Sequence, residues 1–285
     1  MIALAALAGA EAGRAATLQV PAQFATIQAA ITAAANGDVI EIAPGVYTQS
    51  LTITGKALTL RSLFVSSGDP ADIEATVIDG AGADVLVLGA GANMLVEGLS
   101  LRNGSGGIRV NAGATLGFTD GRVRDTSDGI SLEGGSSAAA GIARATIRRS
   151  LLEANSDDAL DSDNKSEFVV EDSVLQNNGD DGIEIRLHND DFAGASVEHV
   201  IVRNRITGNG EDGIQLIDYD ELAQISRTPP VRTASTTTAC LGSTTTAAPP
   251  RTAACRSTPP TPTAAPPGPG PRAGSARRAA ASAAS

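Results

Sequence analysis

One short phrase recurs along this chain and limits what it can fold into. It is an Asp-Gly-Ile step opening a strand of alternating apolar residues, preceded by a polar turn. Its instances are Gly106-Gly-Ile-Arg-Val110, Asp128-Gly-Ile-Ser-Leu132, Asp158-Ala-Leu-Asp-Ser162, Asp181-Gly-Ile-Glu-Ile185 and Asp212-Gly-Ile-Gln-Leu216. The third residues, Ile108, Ile130, Leu160, Ile183 and Ile214, are separated by 22, 30, 23 and 31 positions. A unit this short cannot bury its own apolar side, whereas stacking one unit on the next buries a continuous core. The spacing of 22 to 23 predicts a minimal coil, and 30 to 31 the same coil plus a loop of eight or so. Loops inserted at a turn leave stacked strands undisturbed.

Most repeats also carry an upstream strand: Met94–Leu101, Ala145–Leu152, Phe168–Leu175 and Val200–Ile206. Asn-bearing turns follow at Asn103, Asn155, Asn177 and Asn209. Strands rich in β-branched residues and divided by Gly and Asn turns are expected to pair in parallel with the coil above. Ahead of them, Ile27, Ala30, Ile31 and Ala34 mark one face of a helix, with Thr26 as its cap and Gly37 as its left-handed stop. No helical period is evident after Gly37. The strand patterns Val39-Ile-Glu-Ile42 and Leu51-Thr-Ile53 come next.

The helix, then Asn36-Gly-Asp-Val-Ile-Glu-Ile-Ala-Pro-Gly-Val-Tyr47, then the coils, resembles the right-handed parallel β-helix proteins of the pectin-lyase-like superfold. The resemblance spans Thr17 to Arg227. It implies an all-β solenoid over residues 17–227 whose amino-terminal end is plugged by the amphipathic helix. Without such a plug the first coil would expose core and an unpaired edge. The fold hosts lyases, hydrolases, esterases, epimerases and adhesins, so function has to be read from the site.

Composition narrows the functions available. Aromatic residues are 2% of the 285 and Trp is absent, which removes a base-stacking platform. All 32 acidic residues, but only 14 of the 21 basic ones, precede Arg227. Such a body repels phosphate, so no nucleic-acid partner is expected. No apolar run reaches the ~18 residues of a membrane span. Ile2–Ala10 reads as the apolar part of a truncated signal peptide over residues 1–16, which predicts a secreted or cell-surface protein. From Arg227 onward 44 of 59 residues are Ala, Thr, Pro or Ser, with no acid, and both cysteines lie there. Residues 228–285 are expected to be a disordered tail. Their composition suits either GC-rich DNA translated out of frame or a Pro/Thr-rich stalk.

If the marker residues point inward, alternation sends the next, third and fifth residues outward. Three columns result: Arg109, Ser131, Asp161, Glu184, Gln215; then Asn111, Glu133, Asp163, Arg186, Ile217; then Gly113, Gly135, Lys165, His188, Tyr219. Neighbours in a column would lie one strand spacing apart, ~4.8 Å. Asp163 and Arg186 are expected to pair. Asp161, Asp163 and Glu184, with Asp157 and Asp158 nearby, offer the oxygen donors Ca²⁺ prefers. Lyases and epimerases of the superfold act on uronic-acid polymers, commonly with Ca²⁺ or a basic side chain against the sugar carboxylate. By that resemblance Lys165 or Arg186 would neutralise the uronate or take its proton, and His188 or Tyr219 would serve as acid or base. The Asp-Pro-His-Glu of alginate epimerases and the Gly-His-Gly of polygalacturonases are both missing.

The plainer readings are turn bonding for Asp128, Asp158, Asp181 and Asp212 and a solvated acidic face for the rest. Further acids at Asn189-Asp-Asp191 and Asp218-Tyr-Asp-Glu221 would wall the same edge, which suits neutral sugars or a cation-bridged contact better than a bare uronate. The expectation is therefore a monomeric, secreted polysaccharide-binding solenoid, with lyase or epimerase action implied by resemblance. The alternative is a non-catalytic adhesive protein stabilised by calcium.

Overall fold

The structure is a computed structural model and describes residues 15–136, 141–187 and 197–218. The signal-peptide reading rests almost wholly on residues outside that set. The Pro/Thr-rich tail, His188, Tyr219 and both further acid clusters, Asp218 apart, also lie outside it.

Within the described residues the chain winds into three sheets of 8, 7 and 7 strands, every pairing between named strands parallel. Each coil gives one strand to each sheet. One full coil runs through Thr115–Thr119, Arg122–Arg124 and Ile130–Glu133, and the next through Ala143–Arg148, Leu151–Glu153 and Leu160–Asp163. Ile108, Ile130, Leu160 and Ile183 stand in register and are buried, and Ile214 follows from the Glu184–Gln215 pairing. The inward stack of Met94, Leu116, Ala145 and Phe168 fills the other side of the core.

Each upstream run expected as one strand is two strands meeting at a corner. The corner residues are Gly98, Asp120, Arg149, Asp172 and Arg203, all at positive φ between 47° and 64°. The chain has to turn from the first sheet into the second there. The non-glycine corner residues pair between neighbouring coils, Arg149 with Asp120 and Arg203 with Asp172, each at 2.6 Å.

The helix forms at Ile27–Ala33, and Thr26 caps it by accepting the N–H of Ala29. Ile27, Ala30 and Ile31 join the core, and Lys56 Nζ donates to the carbonyls of Ile31, Thr32 and Ala34. Gly37 does not end this helix. The chain leaves it at Ala34, which is extended, and Gly37 (φ +89°) serves the turn that follows. Two short helices, Phe64–Ser67 and Ala71–Ala75, fill the connection before Thr76–Asp79, although no helical period marks them in the sequence.

Side-chain ladders hold the turns in line. Asn155 donates to Asn178 Oδ1 and Asn178 to Asn209 Oδ1, each at 2.9 Å, and Thr126 closes the upper end on Asn155. A serine ladder runs from Ser150 to Ser173 to Asn204. Such ladders satisfy buried turn backbone that no strand partner reaches.

Candidate functional site

The third sheet carries the candidate site on its outward side. Its register reproduces the first expected column: Arg109, Ser131, Asp161, Glu184 and Gln215 lie on successive strands. In the second column Asn111, Glu133 and Asp163 are in register, with Arg186 on the next strand.

The solvated face expected for the first column does not form. Asp161 is 9% exposed, Glu184 6% and Asp158 3%. Arg186 lies across the acids. It contacts Asp161 at 3.2 Å and Asp163 at 3.3 Å, and Glu184 more closely. The expected Asp163–Arg186 pair is present, and the same guanidinium serves two further carboxylates.

The third column is corrected as well. Lys165 is 5% exposed rather than solvent-facing. It meets Gly135 in an isolated antiparallel bridge, while Gly113 bonds instead to Ile142. The chain leaves the sheet after Glu133, so the alternation that builds a column no longer applies.

Asp158 holds a double position. The turn aspartates form a ladder in which the carboxylate of one accepts the backbone N–H of the next: Asp128 to Asp158 at 3.4 Å, Asp158 to Asp181 at 2.7 Å, Asp181 to Asp212 at 2.6 Å. This is the turn bonding expected from sequence. Asp158 also places a carboxylate oxygen within 4.8 Å of oxygens of Asp161 and Glu184, and within the same reach of Asp128 and Asp157.

Burial raises the proton affinity of these acids. Asp158 is pushed up to about 9 by burial, against the Asp181 N–H and with the charges of Glu184 and Asp181 adding. Asp161 rises to about 8 from burial and then from Asp163, with Arg186 opposing. Asp181 rises to about 7 for the same first reason, and Glu184 and Asp128 move upward too. Arg186 is desolvated, yet the surrounding carboxylates hold it still more firmly protonated than a free arginine. It is a poor proton acceptor and a strong electrostatic clamp.

A second clasp went unrecognised in the sequence. Arg109 Nε donates to Asp84 at 2.9 Å and Nη1 to Glu133 at 3.1 Å, and Ser105 Oγ donates to Asp84 at 2.7 Å. Asp84 stands two residues before Leu86, which pairs with Ile108, so it holds the same turn position as the ladder aspartates. The available signal was Asp84-Val-Leu86 read as one more imperfect repeat.

Calcium was expected on Asp161, Asp163 and Glu184. The carboxylates that converge are instead Asp158, Asp161 and Glu184, while Asp163 is held by Arg186. Three carboxylates are hard donors of the type Ca²⁺ takes. Arg186 already supplies a cation to two of them.

Among known proteins, the family described as the right handed beta helix region matches residues 61–198. The chain folds as a right-handed parallel β-helix. Two solved structures are similar to this β-helix. One is an alginate lyase from Paenibacillus sp. str. FPU-7, at 17% identity and a TM-score of 0.43, covering 73% of this chain and 88% of that one. The other is the pectate lyase Pel9A, at 16% identity and a TM-score of 0.35, covering 68% of this chain and 63% of that one. No curated protein matches. No helix among the described residues is long and apolar enough to cross a membrane.

Proposed function

We propose that this β-helix is a secreted protein that binds an extracellular polysaccharide across the outward side of its third sheet and acts on it by proton transfer. The observation that carries this reading is the convergence of Asp158, Asp161 and Glu184, buried, with oxygens within 4.8 Å of one another and with Arg186 across them. Carboxyl groups this close cannot all ionise, so one keeps a proton at neutral pH and can donate it, while its ionised neighbour can accept one. Asp161 is the proposed donor to a glycosidic oxygen. Arg186 orients it and holds the charge on Glu184.

The test is to offer neutral, amino-sugar and uronate polymers to the full chain. New reducing ends are measured together with the absorbance of unsaturated products. Cleavage that Asp161→Asn lowers by about 100-fold or more supports the assignment, that being the usual scale of one acid–base group. Cleavage unchanged in that variant removes Asp161 from the site.

A second reading keeps elimination or epimerisation of uronates. It is favoured by the oxygen donor set of Asp158, Asp161 and Glu184, which would hold Ca²⁺. The ion would supply the positive charge a uronate carboxylate needs. Lys165, His188 and Tyr219 remain the candidate acid–base groups for this route. Unsaturated product formed only with calcium, and lost with chelator, would establish this route. A chain that binds calcium and cuts nothing would be the adhesive alternative.

A further inference from the structure

The buried serines of the coils share one habit, and Ser131 breaks it. Ser62, Ser100, Ser150, Ser162, Ser166 and Ser173 are buried, and each makes a hydrogen bond through its Oγ. Ser131 is 6% exposed, and its Oγ meets no hydrogen-bond partner among the described residues. A hydroxyl taken out of water without a partner costs free energy, so native structures keep few such groups.

Ser131 stands where a ligand would supply the partner. Ile130 and Leu132 on either side of it point into the core, so Ser131 points outward with its register partner Asp161. The two lie one strand spacing apart, ~4.8 Å. Its register partner on the other side is Arg109. That guanidinium is held by Asp84 at 2.9 Å and by Glu133 at 3.1 Å. A carboxylate on a sugar lying over Ser131 would face Asp161 and Glu133, with the adjacent cation already bound. A sugar hydroxyl brings no charge, and it can donate to a serine or accept from it.

Resting on the polysaccharide reading above, we infer that Ser131 is a substrate-binding residue whose Oγ bonds a hydroxyl of an uncharged sugar unit, on the Arg109 side of the bond that Asp161 protonates. The Ser131 hydroxyl gives the fold no hydrogen bond, so its removal separates binding from stability.

The experiment compares the full chain with its Ser131→Ala variant. Calorimetry measures binding of glucose, xylose and mannose oligomers and of oligogalacturonate, and initial rates are taken for whichever is cut. The wild type is expected to bind a neutral oligomer more tightly than oligogalacturonate. Ser131→Ala should weaken that binding about fivefold, the scale of one hydrogen bond. It should raise KM by the same factor with kcat unchanged. Its thermal midpoint should stay at the wild-type value or rise, because no hydrogen bond of the fold is lost.

Equal binding by variant and wild type removes Ser131 from the ligand contacts and leaves the polysaccharide reading standing. A lower midpoint in the variant gives Ser131 a partner within the fold and overturns the inference as well. Tighter binding of oligogalacturonate by the wild type also overturns it. No binding of any of the four probes by the wild type overturns both the inference and the reading beneath it.

Discussion

Asp158 Oδ1 accepts the backbone N–H of Asp181 at 2.7 Å, so a carboxyl of the candidate site is also a rung of the ladder that aligns the turns. Fold and site share one side chain there. Asp158→Asn keeps an oxygen acceptor for Asp181 and removes the ionisable group, whereas Asp158→Ala removes both. The alanine variant should lose about 1–3 kcal/mol, the cost of an unsatisfied buried N–H. The asparagine variant should stay near wild type at pH 6, with urea unfolding as the measurement.

Stability should fall as pH rises through neutrality. Asp158, Asp161 and Asp181 titrate near 9, 8 and 7 in the fold, each raised from 3.8. Between those values and 3.8 the folded chain binds more protons than the unfolded one. Their stabilising contribution is therefore complete below about pH 4 and is lost as pH climbs toward 9. Asp79 and Asp84 are shifted downward and supply the opposite slope in acid. Thermal midpoints should peak on the acid side of neutrality and drop from pH 6 to 9, and Asp158→Asn should flatten that drop.

Arg186→Met leaves Asp161, Asp163 and Glu184 without their shared cation. The guanidinium is a third exposed, so solvent screens part of the loss. We expect about 1–3 kcal/mol, below the range for a fully buried pair. Added calcium should restore more stability to this variant than to the wild type if Asp158, Asp161 and Glu184 can hold the ion. Melting curves with and without calcium decide the point.

Asn178→Ala breaks the asparagine ladder in its middle. It strands the backbone N–H and Nδ2 of Asn155, which both donate to Asn178 Oδ1. Two buried donors without partners should cost about 3 kcal/mol. Asn103→Ala, at a turn outside this ladder, is the comparison in the same denaturant series.

Gly107→Ala tests the Asp-Gly-Ile step. A Cβ there would stand 2.1 Å from the carbonyl oxygen of Gly129 and 2.5 Å from Val123 Cγ1. The coils cannot separate without breaking strand pairs on both sides, so a loss near 3 kcal/mol is expected, the upper end for overpacking. A variant as stable as wild type would mean the coils can shift.

The sequence by itself determined the stacking. A repeated Asp-Gly-Ile step with alternating apolar residues fixes which side chains face inward, and with them the register that places Asp161 beside Glu184. Period-two alternation and the repeat spacing are local properties, so both are legible without coordinates. Only the tertiary structure decided what the outward side became. Arg186 folding over three acids, Asp158 standing beside Asp161 while it stays in its ladder, and Lys165 leaving the column all depend on side-chain directions and on where the chain departs from the sheet. Alternation ends where a strand ends, and the burial that shifts a carboxyl is a property of its neighbours in space rather than in sequence.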